Sequence, residues 1–189
     1  MGLAHMKHTL WPTVVEVIDL SIDTTVPDFH STWREDWIQG LFLPNLKTQI
    51  DSAVNSYFES CGFDSVDLAQ LSPGQVWLND LAAGRHILPH AHGVSPVGWT
   101  YYLDVDHDAG AIVFLDPKGN TAWDYFQHPP RPGVGAQHQY CQRFQPVRGQ
   151  LIIFPGWLTH YVEPGTSVRR LSLSGEHYER EFLTRVLMP

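Results

Sequence analysis

Two imidazoles stand one residue apart in "LPHAHGV", Leu88 to Val94. In an extended segment residues i and i+2 share a face, so His90 and His92 can turn to one ion, at the roughly 2.0–2.1 Å known for zinc–imidazole bonds. Two ligands do not make a metal site. In a chain with 11 histidines, such a pair is ordinarily a polar alternation on a half-exposed strand. A third candidate is His160 in "FPGWLTHYVEP", just after the apolar run Gln150 to Phe154 and a Pro-Gly turn. A closed barrel brings strands this distant together.

The segment "RRLSLSG" adds a second kind of chemistry. Strand alternation puts Arg170, Ser172 and Ser174 on one face and Arg169, Leu171 and Leu173 on the other. An unpaired buried charge costs several kcal/mol, so an arginine in a core-forming strand needs an anion. Arg170 with the Ser172 hydroxyl makes a fork and a further donor suited to a carboxylate bound end-on. The competing readings are that it pairs with an internal acid such as Asp104 or Glu163, or sits at the barrel rim. Asp104, Asp106 and Asp108, in "YYLDVDHDAG", are also candidate carboxylate ligands for a metal, although acids at strand exits are more often solvated.

These residues need a scaffold. "TVVEVIDL", Thr13 to Leu20, alternates and is β-branched, which predicts an early strand. Between Asp36 and about Gly62, Leu46, Ile50, Val54 and Phe58 recur four apart behind Pro44, the stripe of one long amphipathic helix. From Leu71 onward short apolar runs recur between turn residues: "QVWLNDL", "WTYYLDV", "AIVFLDP", "QLIIFPGW", "RLSLSG". That rhythm predicts an antiparallel barrel or sandwich rather than alternating βα units. Trp123 to Gly135, "WDYFQHPPRPGVG", is too rich in proline and glycine for a central strand and is expected to be a long loop over the site.

Composition narrows the function classes. A chain of 189 residues, 43 % apolar, fits one domain, and its net charge of −8 argues against a phosphate-binding face and hence against nucleic acid. Cys61 and Cys141 are too few for a disulfide scaffold and have no metal-motif spacing, as expected of free thiols in a reducing compartment. The start "MGLAHMKHTLWP" lacks a secretion signal's apolar core, and nowhere do about 18 apolar residues run together. The expectation is a cytoplasmic protein without a membrane partner.

Taken together, "VWLNDLAAGRHILPHAHG", "YYL", "FLDP", "GQLIIFPGWLTHYVEP" and "RLSLS" resemble the bacterial and phage group of 2-oxoglutarate and Fe(II)-dependent oxygenases. "LWPTVVEVIDL" is similar to that group's opening strand. The resemblance implies a double-stranded β-helix (a jelly roll, or cupin-like barrel) over residues 71–189, supported by residues 1–70 within one domain. It implies iron on His90, His92 and His160, and the far carboxylate of 2-oxoglutarate on Arg170 and Ser172, with Tyr102 as an additional hydroxyl donor. In the wider superfamily the second ligand is Asp or Glu; here it is His92, so the site has three neutral imidazoles instead of two and a carboxylate. Such a site leaves three octahedral positions, two for the keto-carboxylate of 2-oxoglutarate and one for O₂, and implies hydroxylation of a small molecule, amino acid or peptide side chain. Trp99 and Trp157 flank the ligands and are candidate pocket walls, with simple core packing the alternative for each. Asn79 is placed to orient a carbonyl or a ligand histidine, or to cap a turn.

Two other readings compete. Gly84 followed after five residues by His90-x-His92, with Gly149, Pro155 and His160, matches the spacing of a cupin, which would be a three-His dioxygenase needing no keto acid. The Arg170-x-Ser172 pair is what a cupin does not require. A non-catalytic binding module with structural zinc is the third reading, although such sites are four-coordinate and usually contain cysteine. Substrate and oligomeric state, homodimer included, are open from the residues alone.

Overall fold

Helix α1, Pro44–Ser60, shows how local chemistry sets a boundary in this chain. It opens on Pro44, whose fixed φ and missing N–H suit a first helical position. It closes in a Schellman turn: Gly62 adopts φ 91°, its N–H donates to the Glu59 carbonyl at 3.0 Å, and Phe63 N–H donates to Phe58 O at 3.1 Å. The Phe58 and Phe63 rings meet edge to face at 5.4 Å, the apolar contact that accompanies this turn. The stripe Leu46, Ile50, Val54 and Phe58 is buried, joined by Ala53 and Tyr57. Each such large side chain removed from water contributes about 1.5–3 kcal/mol.

The computed structural model describes residues 13–20, 44–64, 71–117, 141–166 and 169–179. The expected loop Trp123 to Gly135, and residues 36–43 ahead of the helix, lie outside them. Nine strands accompany α1 among the described residues: β1 Glu16–Asp19, β2 Leu71–Leu81, β3 Ile87–His90, β4 Val97–Val105, β5 Ile112–Leu115, β6 Cys141–Phe144, β7 Gln150–Pro155, β8 His160–Val162 and β9 Arg170–Glu179. They form a five-stranded sheet, β1-β7-β4-β9-β2, and a four-stranded sheet, β3-β8-β5-β6, antiparallel throughout.

Alternation divides the larger sheet into two faces. Trp99, Tyr101, Leu103, Leu151, Ile153, Leu171 and Leu173 pack with α1 in one core. Tyr102, Ile152 and Phe154 turn the other way, to Ile112 and Phe114 of the smaller sheet and Leu158 of the β7–β8 turn. The early strand is shorter than its sequence suggests, four residues of the eight expected, and its alternation survives with Val17 exposed and Ile18 packed on the helix-side core. Among the described residues no helix is long and apolar enough to cross a membrane.

Candidate metal centre

His90 and His160 face each other as partners across the β3–β8 ladder, with ring centroids 4.3 Å apart. His92 does not sit on the strand the His-x-His spacing suggested. The β3–β8 pairing ends at His90; beyond it His92 N–H donates to Gly156 O at 2.8 Å, and Gly93 turns the chain with φ 58°. Its ring nevertheless returns to the pair, 5.4 Å from His90 and 5.1 Å from His160. Gly98 makes room for this: a Cβ there would lie 2.8 Å from the Phe154 ring and 3.2 Å from His92 Cδ2.

Each imidazole has its Nδ1 engaged. His90 Nδ1–H donates to Leu88 O and His160 Nδ1–H to Leu158 O, both at 2.9 Å, while His92 Nδ1 lies 2.5 Å from a Glu176 carboxylate oxygen. With protons on all three Nδ1 atoms, the Nε2 lone pairs are free to bind. One ring nitrogen of each residue lies within 4.8 Å of the other two, a cluster that could hold one metal ion. Burial pushes His160 down to about 3, with the nearby His90 and His92 acting in the same direction, so it is an uncharged donor. The donor set therefore fits a divalent transition metal. Accessibility rises from His160 through His92 to His90, which leaves the site open on one side.

Asp104 and Asp106 lie elsewhere: both engage Arg169, through its guanidinium at 3.7 Å and its backbone N–H at 3.1 Å. Asp108 pairs with exposed His107. Among the described residues, the group of metal-ligating side chains consists of the three histidines alone.

The same cavity, about 80 Å³, is lined by the three histidines and by Arg170 and Ser172. Arg170 is 3 % exposed. Its Nε donates to Gly110 O at 3.1 Å, and its terminal nitrogens reach Ser172 Oγ and Tyr102 Oη at 3.4 Å each. Glu163, the internal acid that could have neutralised it, pairs with Arg143, and Asp104 with Arg169. No ion pair among the described residues involves Arg170. Burial lowers its pKa, opposed by the neighbouring Tyr102 hydroxyl. Burial raises Tyr102 to about 12, only partly offset by Arg170, so its hydroxyl keeps its proton.

The remaining candidates separate. Asn79 borders the cavity from mid-strand and donates to Ser174 Oγ at 2.9 Å, which donates to Thr100 Oγ1 at 3.1 Å; it caps no turn. Trp99 touches the cavity, but its indole belongs to the helix-side core and donates to His177 Nδ1 at 3.2 Å. Trp157 is half exposed and outside the cavity lining. Glu176 was not foreseen, although it continues the alternation Arg170, Ser172, Ser174 that marks the cavity face. Burial acts to raise its pKa, but hydrogen bonds from His92 and Tyr178 outweigh this and hold it below the usual carboxylate value. Also unforeseen is a polar chain that ties α1 to the sheet: His177 Nε2–H donates to Asp51 at 3.1 Å.

Two antiparallel sheets hold a three-histidine cluster beside a buried arginine that has no ion-pair partner among the described residues, a site built for a metal ion and an anion. The chain belongs to the family described as "Putative 2OG-Fe(II) oxygenase", whose model matches residues 75–176; the fold is the double-stranded β-helix, and Fe(II) and 2-oxoglutarate are the family's cofactors. Among solved structures it is similar to an oxidoreductase of the 2OG-Fe(II) oxygenase family from Burkholderia pseudomallei, at 16 % identity over 77 % of this chain and 58 % of that one, TM-score 0.49. A prolyl hydroxylase from Trichoplax adhaerens, in complex with a hypoxia inducible factor peptide fragment, matches at 16 % identity over 74 % of this chain and 58 % of that one, TM-score 0.46. A Pseudomonas putida prolyl-4-hydroxylase matches at 21 % identity over 56 % and 51 %, TM-score 0.40. The matched part of each structure is little more than half its length. A comparison with curated proteins gives no match.

Proposed function

We propose that this chain is a 2-oxoglutarate-dependent, Fe(II)-dependent oxygenase that hydroxylates a C–H bond of a small molecule or of an amino acid or peptide side chain. The observation that carries the proposal is the pairing of two chemistries in one cavity: three clustered imidazoles, and a buried guanidinium with no ion-pair partner among the described residues. His90, His92 and His160 hold the metal. Arg170 takes the far carboxylate of 2-oxoglutarate, helped by the hydroxyls of Ser172 and Tyr102.

With iron bound, the centre supplies the reaction of O₂ with 2-oxoglutarate to give succinate and CO₂, the second oxygen atom entering the substrate C–H bond as hydroxyl. The chain's own residues do the positioning. Arg170 is charged and desolvated before the cosubstrate arrives, so little reorganisation is needed at binding. Tyr102 Oη accepts from Arg170 and keeps its own proton to donate to the incoming carboxylate. Asn79, Ser174 and Thr100 form a hydrogen-bonded row along the cavity wall that offers polar atoms to the keto-carboxylate end. The aromatic wall of Phe154 and Trp77 against His92 keeps that imidazole from rotating away.

The test is turnover itself. Purified protein with Fe(II) and O₂ is assayed for succinate against panels of free amino acids, peptides and small natural products. Succinate release that requires 2-oxoglutarate and rises with one substrate class supports the reading. Oxygen uptake on a substrate without any keto acid would instead assign the cavity to cupin-type three-His chemistry.

A further inference from the structure

The three imidazoles are held differently. His90 and His160 sit in the β3–β8 ladder and give their Nδ1 protons to neutral backbone carbonyls. His92 lies past the strand end and has a carboxylate instead, Glu176 Oε1 at 2.5 Å from Nδ1. Both side chains are under a tenth exposed. The second Glu176 oxygen accepts a hydrogen bond from the Tyr178 hydroxyl, so the carboxylate is fixed at both ends. A charged acceptor binds an imidazole N–H more strongly than a carbonyl does, and it raises the basicity of the opposite ring nitrogen.

We propose that Glu176 is the positioning residue of the metal centre: clamped by Tyr178, it holds the proton on His92 Nδ1, aims Nε2 at the ion and supplies, through the imidazole, the negative charge that three neutral ligands lack. The proposal rests on the reading of His90, His92 and His160 as the ligands. It makes His92 the strongest donor of the three, and it accounts for an imidazole in place of a ligand carboxylate: the acid is kept, one hydrogen bond further out. Strand β9 then serves both halves of the site from one face, Arg170 for the cosubstrate and Glu176 for the metal.

The experiment compares wild type with Glu176→Gln, which keeps the shape and an acceptor but removes the charge, and with Glu176→Leu, which removes both. Imidazole N–H resonances are recorded on metal-free protein, and Co(II) is then titrated while its visible spectrum is followed. One N–H resonance should lie well downfield of the others in wild type, move upfield in Glu176→Gln and vanish in Glu176→Leu. Co(II) should bind about ten-fold more weakly to Glu176→Gln and about a hundred-fold more weakly to Glu176→Leu. Wild-type Co(II) affinity and an unmoved resonance in the Gln variant would overturn the role of Glu176. Failure of the wild type to take up Co(II), with the downfield proton present, would overturn the three-histidine reading instead.

Discussion

Arg170 and Tyr102 stack across adjacent strands of the larger sheet, the guanidinium carbon 5.2 Å from the ring centroid and one terminal nitrogen 3.4 Å from the phenol oxygen. Next to Arg170 in the chain, Arg169 points the other way, half exposed, to Asp104. The two arginines are thus a built-in control. Arg170→Ala removes a charge-assisted fork worth about 2–5 kcal/mol to a buried carboxylate, and the apparent 2-oxoglutarate constant should rise by at least thirty-fold. Arg169→Ala should leave it within two-fold. A larger effect from Arg169 would place the cosubstrate on the wrong face of β9.

Tyr102→Phe isolates the hydroxyl. It should weaken 2-oxoglutarate several-fold while leaving metal affinity unchanged. The same variant has a signature in alkali. Because burial lifts the folded-state pKa from 10 to about 12, this group's contribution is fully present below pH 10 and is lost as pH rises from 10 through 12. Over that window it amounts to about 2–3 kcal/mol. Urea midpoints between pH 9 and 12 should therefore fall less steeply in Tyr102→Phe than in wild type; parallel curves would mean that the phenol is not held protonated by the fold.

Alanine at His90, His92 or His160 should abolish stoichiometric iron binding. His160→Ala is the sharpest case, since its imidazole is buried and uncharged by burial, and iron retained at one per chain in that variant would remove it from the ligand set.

Gly110 supports Arg170 through its backbone. A Cβ there would lie 1.7 Å from Glu163 O, while the Gly110 carbonyl accepts from Arg170 Nε. Gly110→Ala must push the β5 entry away from residue 163, at a cost of about 1–3 kcal/mol. Thermal unfolding should show the destabilisation, and the apparent 2-oxoglutarate constant should rise with it, since Arg170 loses its anchor; destabilisation without weaker cosubstrate binding would separate the two.

Much of this site was legible in the sequence because strand alternation is a strict code. Arg170, Ser172 and Ser174 fall on the cavity face and Leu171 and Leu173 on the helix-side core, as the period of two demands. The four-residue spacing of Leu46, Ile50, Val54 and Phe58 reads α1 equally well. The His90-x-His92 pair was expected to converge from one strand; it converges because a turn folds His92 back, held by Gly156 and Glu176, and such long-range partners leave no local pattern. Glu176 could have been found by extending the alternation one step further along β9. Trp157 shows the limit of the opposite habit: adjacency in sequence to His160 does not put it in the pocket, since the β7–β8 turn carries it outward.

The most direct measurement is an anaerobic titration of the metal-free protein with Fe(II) and then 2-oxoglutarate, followed in the visible spectrum. A weak charge-transfer band of a chelated keto acid should grow to saturation at one Fe(II) and one 2-oxoglutarate per chain, be absent in His160→Ala, and need far more 2-oxoglutarate in Arg170→Ala. Stoichiometric Fe(II) uptake with no such band at any 2-oxoglutarate concentration would contradict a keto-acid site beside the three histidines.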